Sequence, residues 1–330
     1  MTRRPEARLQ PSAAERPLSA ARTPGASRTP GVVAIPAWER FPWLLAGFST
    51  RQGGRSTAYA SGGPSEQNLG FTPDDDPATV VENRRRFIAA IAKSKPRTAP
   101  TPDLITIRQC HTGILQRADR AALPLITPEG KALLRGDALY TRDPNLLLGI
   151  LTADCVPILL ADTRTHAVAA FHAGWRGTLA RIVERGVGTL RRDFGSHPKD
   201  LIAAIGPSIG PCCFAVGEEV LHEFGSQFAY APELFSEVFT SDPIREKYPM
   251  LFLTARAPGH SPLGPQIHLD LWEANRRQLL AAGLKPSAIT VVGECAACTR
   301  LPDGRRKYFS HRAEHGFTGR MLSVIGTTTP

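Results

Sequence analysis

Two apolar runs dominate the middle of the chain. Leu146–Thr152 (LLLGILT) and residues 167–172 (AVAAFH) carry scarcely a polar side chain. Runs this short, closed by Gly and Pro, read as strands buried on both faces, so the polar residues that belong to them collect at the rim. Here the rim segments are Ala153-Asp154-Cys155-Val156-Pro157 and Ala173-Gly174-Trp175-Arg176-Gly177. Upstream, residues 104–111 alternate as a strand does, which sets Gln109 and His111 on one face and Cys110 on the other. The helical period predicts a helix over 77–92, with Val80, Val81, Phe87, Ile88 and Ile91 on its apolar side, and a second over 178–194, which buries Leu179, Ile182, Val183, Val187, Leu190 and Phe194. Further helices are expected over 216–228 and 268–283, and further strands over 43–48, 139–140, 201–205, 289–292 and 307–310. Residues 51–54 (RQGG) read as a turn, and the Pro-punctuated stretch 229–266 as an irregular excursion or lid. Strands interleaved with helices in this way imply an α/β fold whose sheets are covered by helices.

Composition narrows the class. With 42% hydrophobic and 21% charged residues in 330, the chain has the make-up of a soluble globular protein. No apolar run approaches the ~18–20 residues of a membrane span, and no signal-peptide core follows Met1. Residues 1–31 hold six Arg against two Glu, +4 of the total +10, and are rich in Pro, Ala and Ser. A disordered basic tail is expected there, with 32–330 as a single catalytic domain. An organellar transit peptide would need an amphipathic helix, against which Pro5, Pro11, Pro17, Pro24 and Pro30 argue. The remaining basic residues are dispersed, with no aromatic-interleaved stripe; attraction of small anionic substrates explains them as well as nucleic-acid binding does, and no nucleic-acid or membrane partner is expected. Six cysteines without a secreted framework fit a reducing, cytoplasmic setting. Cys295-Ala-Ala-Cys298 has the spacing of a redox or zinc pair but lacks a second such pair, which favours a structural role. Adjacent residues such as Cys212 and Cys213 are poorly placed to chelate together, and packing is expected of them.

The chemistry concentrates on His111, Cys155 and His172. Two imidazoles and a thiolate are the donor set of a catalytic zinc with one position left open. The alternative is a buried Cys beside two satisfied histidines. His172 and its glycine-rich turn precede a predicted helix N-terminus, which with Arg176 would favour an anion. The Gly53-Gly54 turn beside Arg51 offers a weaker anion site. Asp137, in Gly136-Asp137-Ala138, reads first as a turn-former.

These residues fall within an ordered series: Phe48-Ser49-Thr50-Arg51, Asn68-Leu69-Gly70, Asn83-Arg84, Gln109-x-His111, Gly136-Asp137-Ala138, Thr152-Ala153-Asp154-Cys155-Val156-Pro157, His172-Ala173-Gly174-Trp175-Arg176-Gly177-Thr178, Gly206-Pro207-Ser208-Ile209-Gly210-Pro211-Cys212-Cys213, Cys298-Thr299, Phe309-Ser310-x-Arg312 and Thr318-Gly319-Arg320. The series closely resembles the laccase-domain family, first called multicopper polyphenol oxidases and now regarded as purine nucleoside phosphorylases. The resemblance implies a layered α/β/β/α sandwich with mixed sheets. It also implies phosphorolysis of adenosine, inosine and methylthioadenosine, with adenosine deamination as a further activity. Zinc on His111, Cys155 and His172 would serve, with Cu2+ as the other candidate, and Asp154 as a proton carrier. Arg51, Asn68, Gln109, Arg176 and Arg312 are the expected contacts to purine nucleoside and phosphate. Thr112 stands where the family commonly has Gly, His311 where it has an aromatic residue, and Ala313 where it has a second Arg. Two alternatives stay open. One is polyphenol oxidation on copper, although the nine His include no His-x-His pair. The other is a metal-free cysteine hydrolase or amidase using Cys155 and His172. Oligomeric state is not legible.

Overall fold

The computed structural model describes residues 29–60, 63–92, 101–122, 124–238 and 266–328, so the tail predicted over 1–31 lies almost wholly outside the described residues, as does most of the predicted excursion. One sheet runs in the order β1 (Val32–Val33), β2 (Leu44–Ser49), β15 (Met321–Thr327), β7 (Leu146–Thr152) and β4 (Asp103–Thr106). The second runs β14 (Ile289–Val291), β10 (Leu201–Ile205), β8 (Val156–Asp162), β9 (Val168–Ala173), β6 (Ala138–Thr141) and β5 (Leu115–Arg117). A small third sheet joins β11 (Ala215–Val216), β13 (Gln266–Leu269) and β12 (Phe235–Val238), and β3 (Gln52–Ser56) stands apart from all three. Both large sheets are mixed: β4–β7, β10–β14 and β5–β6 pair parallel and their other neighbours antiparallel.

Strand alternation builds the layers. On β7, Leu146, Leu148 and Ile150 face a core shared with Leu159, Val168, Ala170 and Ile202 of the other sheet. Leu147, on the opposite face, packs with Phe87 and Ile88 of α1 (Pro77–Ile91). The outer face of the six-stranded sheet presents Ile158, Leu160, Phe171 and Ala203 to α3 (Ile182–Phe194), α4 (Glu218–Gln227) and α5 (Leu271–Ala281). The order helix, sheet, sheet, helix is the layered sandwich expected. Because these leucines are fully buried, each contributes on the order of 1.5–3 kcal/mol of burial, and truncating Leu148 to Ala would cost about 2–5 kcal/mol. α1 starts where Asp76 caps the Thr79 N–H at 2.9 Å ahead of Pro77.

Several predicted elements differ. Pro157 does not close the first rim segment: it is the second residue of β8, a central strand. The helix predicted over 178–194 is two helices, α2 (Trp175–Leu179) and α3, broken where Arg181 takes a left-handed conformation (φ 55°). Arg181 is held there by Glu184 and by the Gln227 carbonyl, the latter a contact no local pattern reveals. Residues 51–54 enter strand β3 rather than a turn, residues 307–310 form no strand, and β15 occupies the sheet position instead. The helices predicted over 216–228 and 268–283 each begin later, after the short strands β11 and β13. Val81 is exposed, whereas Val80 is buried.

The topology places the site. β7 belongs to one sheet and β8 to the other, so residues 153–155 are the crossing between them. In the antiparallel β8–β9 pair Val156 lies opposite Ala173 and Pro157 opposite His172. Cys155 therefore emerges beside His172 where the two sheets open.

Candidate active site

His111 does not arrive on a strand, as the alternation predicted. β4 ends at Thr106, and His111 sits in a bend with φ 59°. What fixes the bend is Asp137, fully buried, whose carboxylate accepts the N–H groups of Cys110 (3.1 Å), His111 (2.9 Å) and Thr112 (2.6 Å). It also accepts the Thr112 hydroxyl at 2.8 Å, a bond the family's usual glycine could not make. Its remaining partners are Cys110 Sγ at 3.5 Å and His172 Nδ1 at 2.9 Å. Asp137 is thus no mere turn-former: one carboxylate shapes the His111 loop and orients the His172 ring, leaving Nε2 as the free ring nitrogen.

The third member, Cys155, has its Sγ 3.8 Å from His111 Nε2. Its neighbour Asp154 has φ 103°, a strained backbone for a residue with a side chain. Three hydrogen bonds hold it: Ser310 Oγ to Oδ1 (2.6 Å), the Arg312 N–H to Oδ2 (2.7 Å), and the Ile209 N–H to its carbonyl (2.8 Å). Gly174 closes the site from behind. A Cβ there would lie 3.0 Å from Cys155 Sγ and 3.4 Å from the His111 ring, so any larger residue would have to push the thiol aside.

The donor atoms of His111, Cys155 and His172 all lie within 4.8 Å of one another, so this is a candidate metal site. Zinc–sulfur and zinc–nitrogen bonds of about 2.3 and 2.0 Å set a tetrahedral S···N edge at about 3.5 Å, close to the 3.8 Å between Cys155 and His111. The donors fit a single ion. No fourth protein donor joins them among the described residues, which leaves a position facing the cavity. The electrostatics agree with a charge-separated set. Burial pushes the Cys155 thiol up, but the His172 and His111 rings outweigh it and bring it down to about 6. Burial also disfavours imidazolium at His172, yet Cys155 and Asp137 raise it to about 9. Asp137 is held well below the usual carboxylate range, against its burial, by His172 and Thr112.

Above the donors opens a cavity of about 1130 Å³. Of the substrate contacts expected from sequence, Gln109 and Arg312 line it, together with Asp154, Cys155, His111 and His172. Gln109 spends its amide on the Leu151 backbone (Nε2 to O 2.7 Å, Oε1 to N 2.9 Å), which ties the His111 loop to β7. Three expected contacts do not reach the cavity. Arg51 is buried between Glu66 and Glu314, both at 2.5 Å, and donates to the Tyr59 carbonyl. Asn68 is fully buried and bonds Gly70, Asp75 and the Arg320 N–H, so it positions cavity residues instead of touching substrate. Arg176 lies over the Trp175 ring, 4.2 Å from its centroid, and α2 is a single short helix.

In their place the cavity is lined by Arg84, Arg108, Lys131 and Arg320. Arg84 and Arg320 stood in motifs quoted from the sequence, but nothing local marked Arg108 or Lys131. Arg84 is buried, stacked 4.4 Å from the Phe71 centroid, and among the described residues is hydrogen-bonded only to the carbonyls of Leu69 and Gly130. Burial lowers its pKa to about 10, which still leaves it charged at neutral pH. Among the described residues no helix is long and apolar enough to cross a membrane.

Residues 45–328 match the family described as multi-copper polyphenol oxidoreductase laccase. The chain is 34% identical over 288 residues to the purine nucleoside phosphorylase YlmD of Geobacillus stearothermophilus, covering 87% of this chain and 91% of that one. It is 35% identical over 224 residues to the adenosine deaminase RL5 of an unknown prokaryotic organism, covering 68% and 74%. The crystal structure of the Bacillus licheniformis hypothetical protein YfiH superposes with a TM-score of 0.71 at 29% identity, over 90% of this chain and 97% of that one. The chain belongs to the laccase-like multi-copper polyphenol oxidoreductase family, whose curated members include purine nucleoside phosphorylases.

Proposed function

We propose that this protein is a zinc-dependent purine nucleoside phosphorylase acting on adenosine, inosine and methylthioadenosine, with adenosine deamination as a side activity. The relatives named for those two activities support the class. The observation that carries it is Arg84, a buried cation with no carboxylate partner among the described residues, lining the same cavity as the metal-ligating set. A buried unpaired charge is costly, and an anionic ligand relieves that cost. Arg84, Arg108, Arg312, Arg320 and Lys131 would bind phosphate and orient one oxygen towards C1′ of the ribose, where the new C–O bond forms as the C–N bond to the purine breaks. Phe71 and Phe214, both lining the cavity, offer ring faces to the purine.

His111, Cys155 and His172 would hold the ion, which supplies a Lewis acid and, for deamination, an activated water. Asp137 keeps His172 in the required tautomer. Asp154 lines the cavity with both oxygens already accepting one hydrogen bond, and each oxygen retains a second acceptor position for a proton in transit. A cytoplasmic setting is consistent with six cysteines that are all unpaired to one another.

Incubating the purified chain with adenosine, with and without phosphate, tests the reading. Free adenine and ribose 1-phosphate should form only when phosphate is present, and inosine in either case. No free base under saturating phosphate would overturn it. A second reading has its own support: Cys155, His172 and Asp137 form a thiol–imidazole–carboxylate series with the thiol brought down to about 6. A metal-free cysteine hydrolase would be fully active after zinc removal and stopped by iodoacetamide. On the phosphorylase reading iodoacetamide reaches Cys155 only in the stripped chain, with half-maximal rate near pH 6 instead of the ~8.5 of a free thiol. Polyphenol oxidation has less support. Among the described residues the remaining metal-capable group contains no histidine, so no cluster of several coppers has its usual ligands.

A further inference from the structure

The second group is Cys212, Cys213, Cys295 and Cys298, whose sulfur atoms also lie within 4.8 Å of one another. We propose that these four thiols hold one zinc ion in a closed, structural tetrathiolate site that fixes one wall of the cavity. Zinc–sulfur bonds of about 2.3 Å put the edges of an S₄ tetrahedron at about 3.8 Å, and Cys212 Sγ lies 3.6 Å from Cys298 Sγ. A disulfide would need about 2.05 Å, and all six cysteines are free. A cluster of several irons would spread its four thiolates further apart, since different iron atoms carry them, whereas these four crowd around one point.

Adjacency of Cys212 and Cys213 argued against shared chelation only for an extended chain, in which neighbours face opposite ways. Here the chain turns: the N–H groups of Cys213 and Phe214 both bond the Gly210 carbonyl at 3.0 Å, and the two thiols end on the same side. Cys295 and Cys298 occupy a matching turn, closed by the Thr299 N–H on the Cys295 carbonyl at 3.0 Å. The arms are locked together by Ala296 N–H to Ser208 O (2.8 Å). Gly210 N–H donates to Cys295 Sγ at 3.3 Å, the kind of bond that disperses charge on a metal-bound thiolate. Cys295 is buried while Cys212 and Cys298 reach the surface, which gives the ion an entry path.

The two arms are 86 positions apart at Cys212 and Cys298. The first arm carries Ile209 and Phe214 of the cavity lining, and Arg312 of that lining donates to the Ala215 carbonyl beside it, so the ion would position that wall without touching substrate. The inference does not rest on the proposed activity.

The full chain, loaded with zinc and freed of excess, should hold two ions per molecule by elemental analysis. Cys295→Ser and Cys298→Ser should each hold one, and Cys155→Ala should lose the other equivalent. Should the serine variants fail to fold, the wild-type chain still decides the matter. Peptide mapping after brief alkylation should find Cys212 and Cys298 protected despite their exposure, and labelled once zinc is removed by a chelator under mild denaturation. A single ion that disappears with Cys155→Ala overturns the proposal. So does a Cys212–Cys298 disulfide in the native chain, or rapid labelling of those two thiols with zinc present.

Discussion

Two sulfur-bearing groups in the molecule could each hold a metal ion, and they differ in one respect above all. His111, Cys155 and His172 present three donors to a large cavity, whereas Cys212, Cys213, Cys295 and Cys298 present four donors to one another. Three donors leave a coordination position for reactants. Four leave none, and the binding free energy of the ion goes into joining chain segments. The surroundings follow suit. The open group is braced from behind by a buried carboxylate, Asp137, and faces cations; the closed group is braced by backbone N–H groups and tight turns. Open coordination at a braced rim suits chemistry, and closed coordination between distant segments suits architecture.

The sharpest way to break this division is to cut one sulfur from each side. Cys155→Ala should lower kcat/KM for adenosine phosphorolysis by roughly a thousandfold, since a Lewis acid is worth several kcal/mol and each 1.36 kcal/mol is tenfold. Cys298→Ser should leave kcat within about threefold, raise KM, and lower Tm by about 6–10 °C, if the ion contributes ~3–5 kcal/mol at ~2 °C per kcal/mol. Thermal melts and steady-state kinetics on both variants decide it. Parallel loss of kcat in the two would erase the distinction.

Asp137→Asn sharpens the comparison from the open side. Its carboxylate accepts six hydrogen bonds, two of them from Thr112 onto the same oxygen. An amide puts a donor against donors on one side of that network. Zinc affinity at the open group should fall by about 10–100-fold, measured by chelator competition, while the four-cysteine ion is retained. The pH dependence has a definite sign. The Asp137 pKa is depressed in the folded chain, so its stabilising contribution is complete above the ordinary carboxylate pKa of about 4 and is lost as pH falls below it. The Asn variant should lose this part of the wild-type acid sensitivity, which a melt series between neutral and acidic pH would reveal.

How much of this was legible beforehand depended on whether the cause was local. The apolar runs on β7 and β9 announce doubly buried strands, and Cys155 and His172 at their rim lie together with His111, the three residues the sequence singles out. β8 was hidden because Pro157 looks like a stop, although near a strand's beginning its missing N–H costs little. The break at Arg181 was hidden because the residue in the left-handed conformation is not glycine. The four-cysteine group was missed for a different reason. Each half has a poor local signature, and only the pairing of β10 with β14 brings the two segments that follow those strands alongside. Arg51 reads from sequence as a free cation because its partners, Glu66 and Glu314, sit 15 and 263 positions away.

The smallest expected effect separates the cations that matter from those that only look well placed. Arg176 follows a glycine turn and precedes a helix, which made it a phosphate candidate, but it lies over Trp175 and off the cavity lining. Arg84 sits inside a helix with no such signature, and is buried on the cavity wall without a carboxylate partner among the described residues. If the cavity takes phosphate, Arg84→Gln removes one charge-assisted hydrogen bond of about 1.5–3 kcal/mol and should raise KM for phosphate roughly 10–100-fold. Arg176→Ala should change it less than twofold, because a surface cation stacked on its neighbour is worth about 0.5–1 kcal/mol and none of that is given to the ligand. Phosphate titrations at saturating adenosine give both numbers. The reverse ranking would place the anion at the rim beside α2, move it away from the buried charge, and leave Arg84 a purely structural clamp between the Leu69 and Gly130 carbonyls.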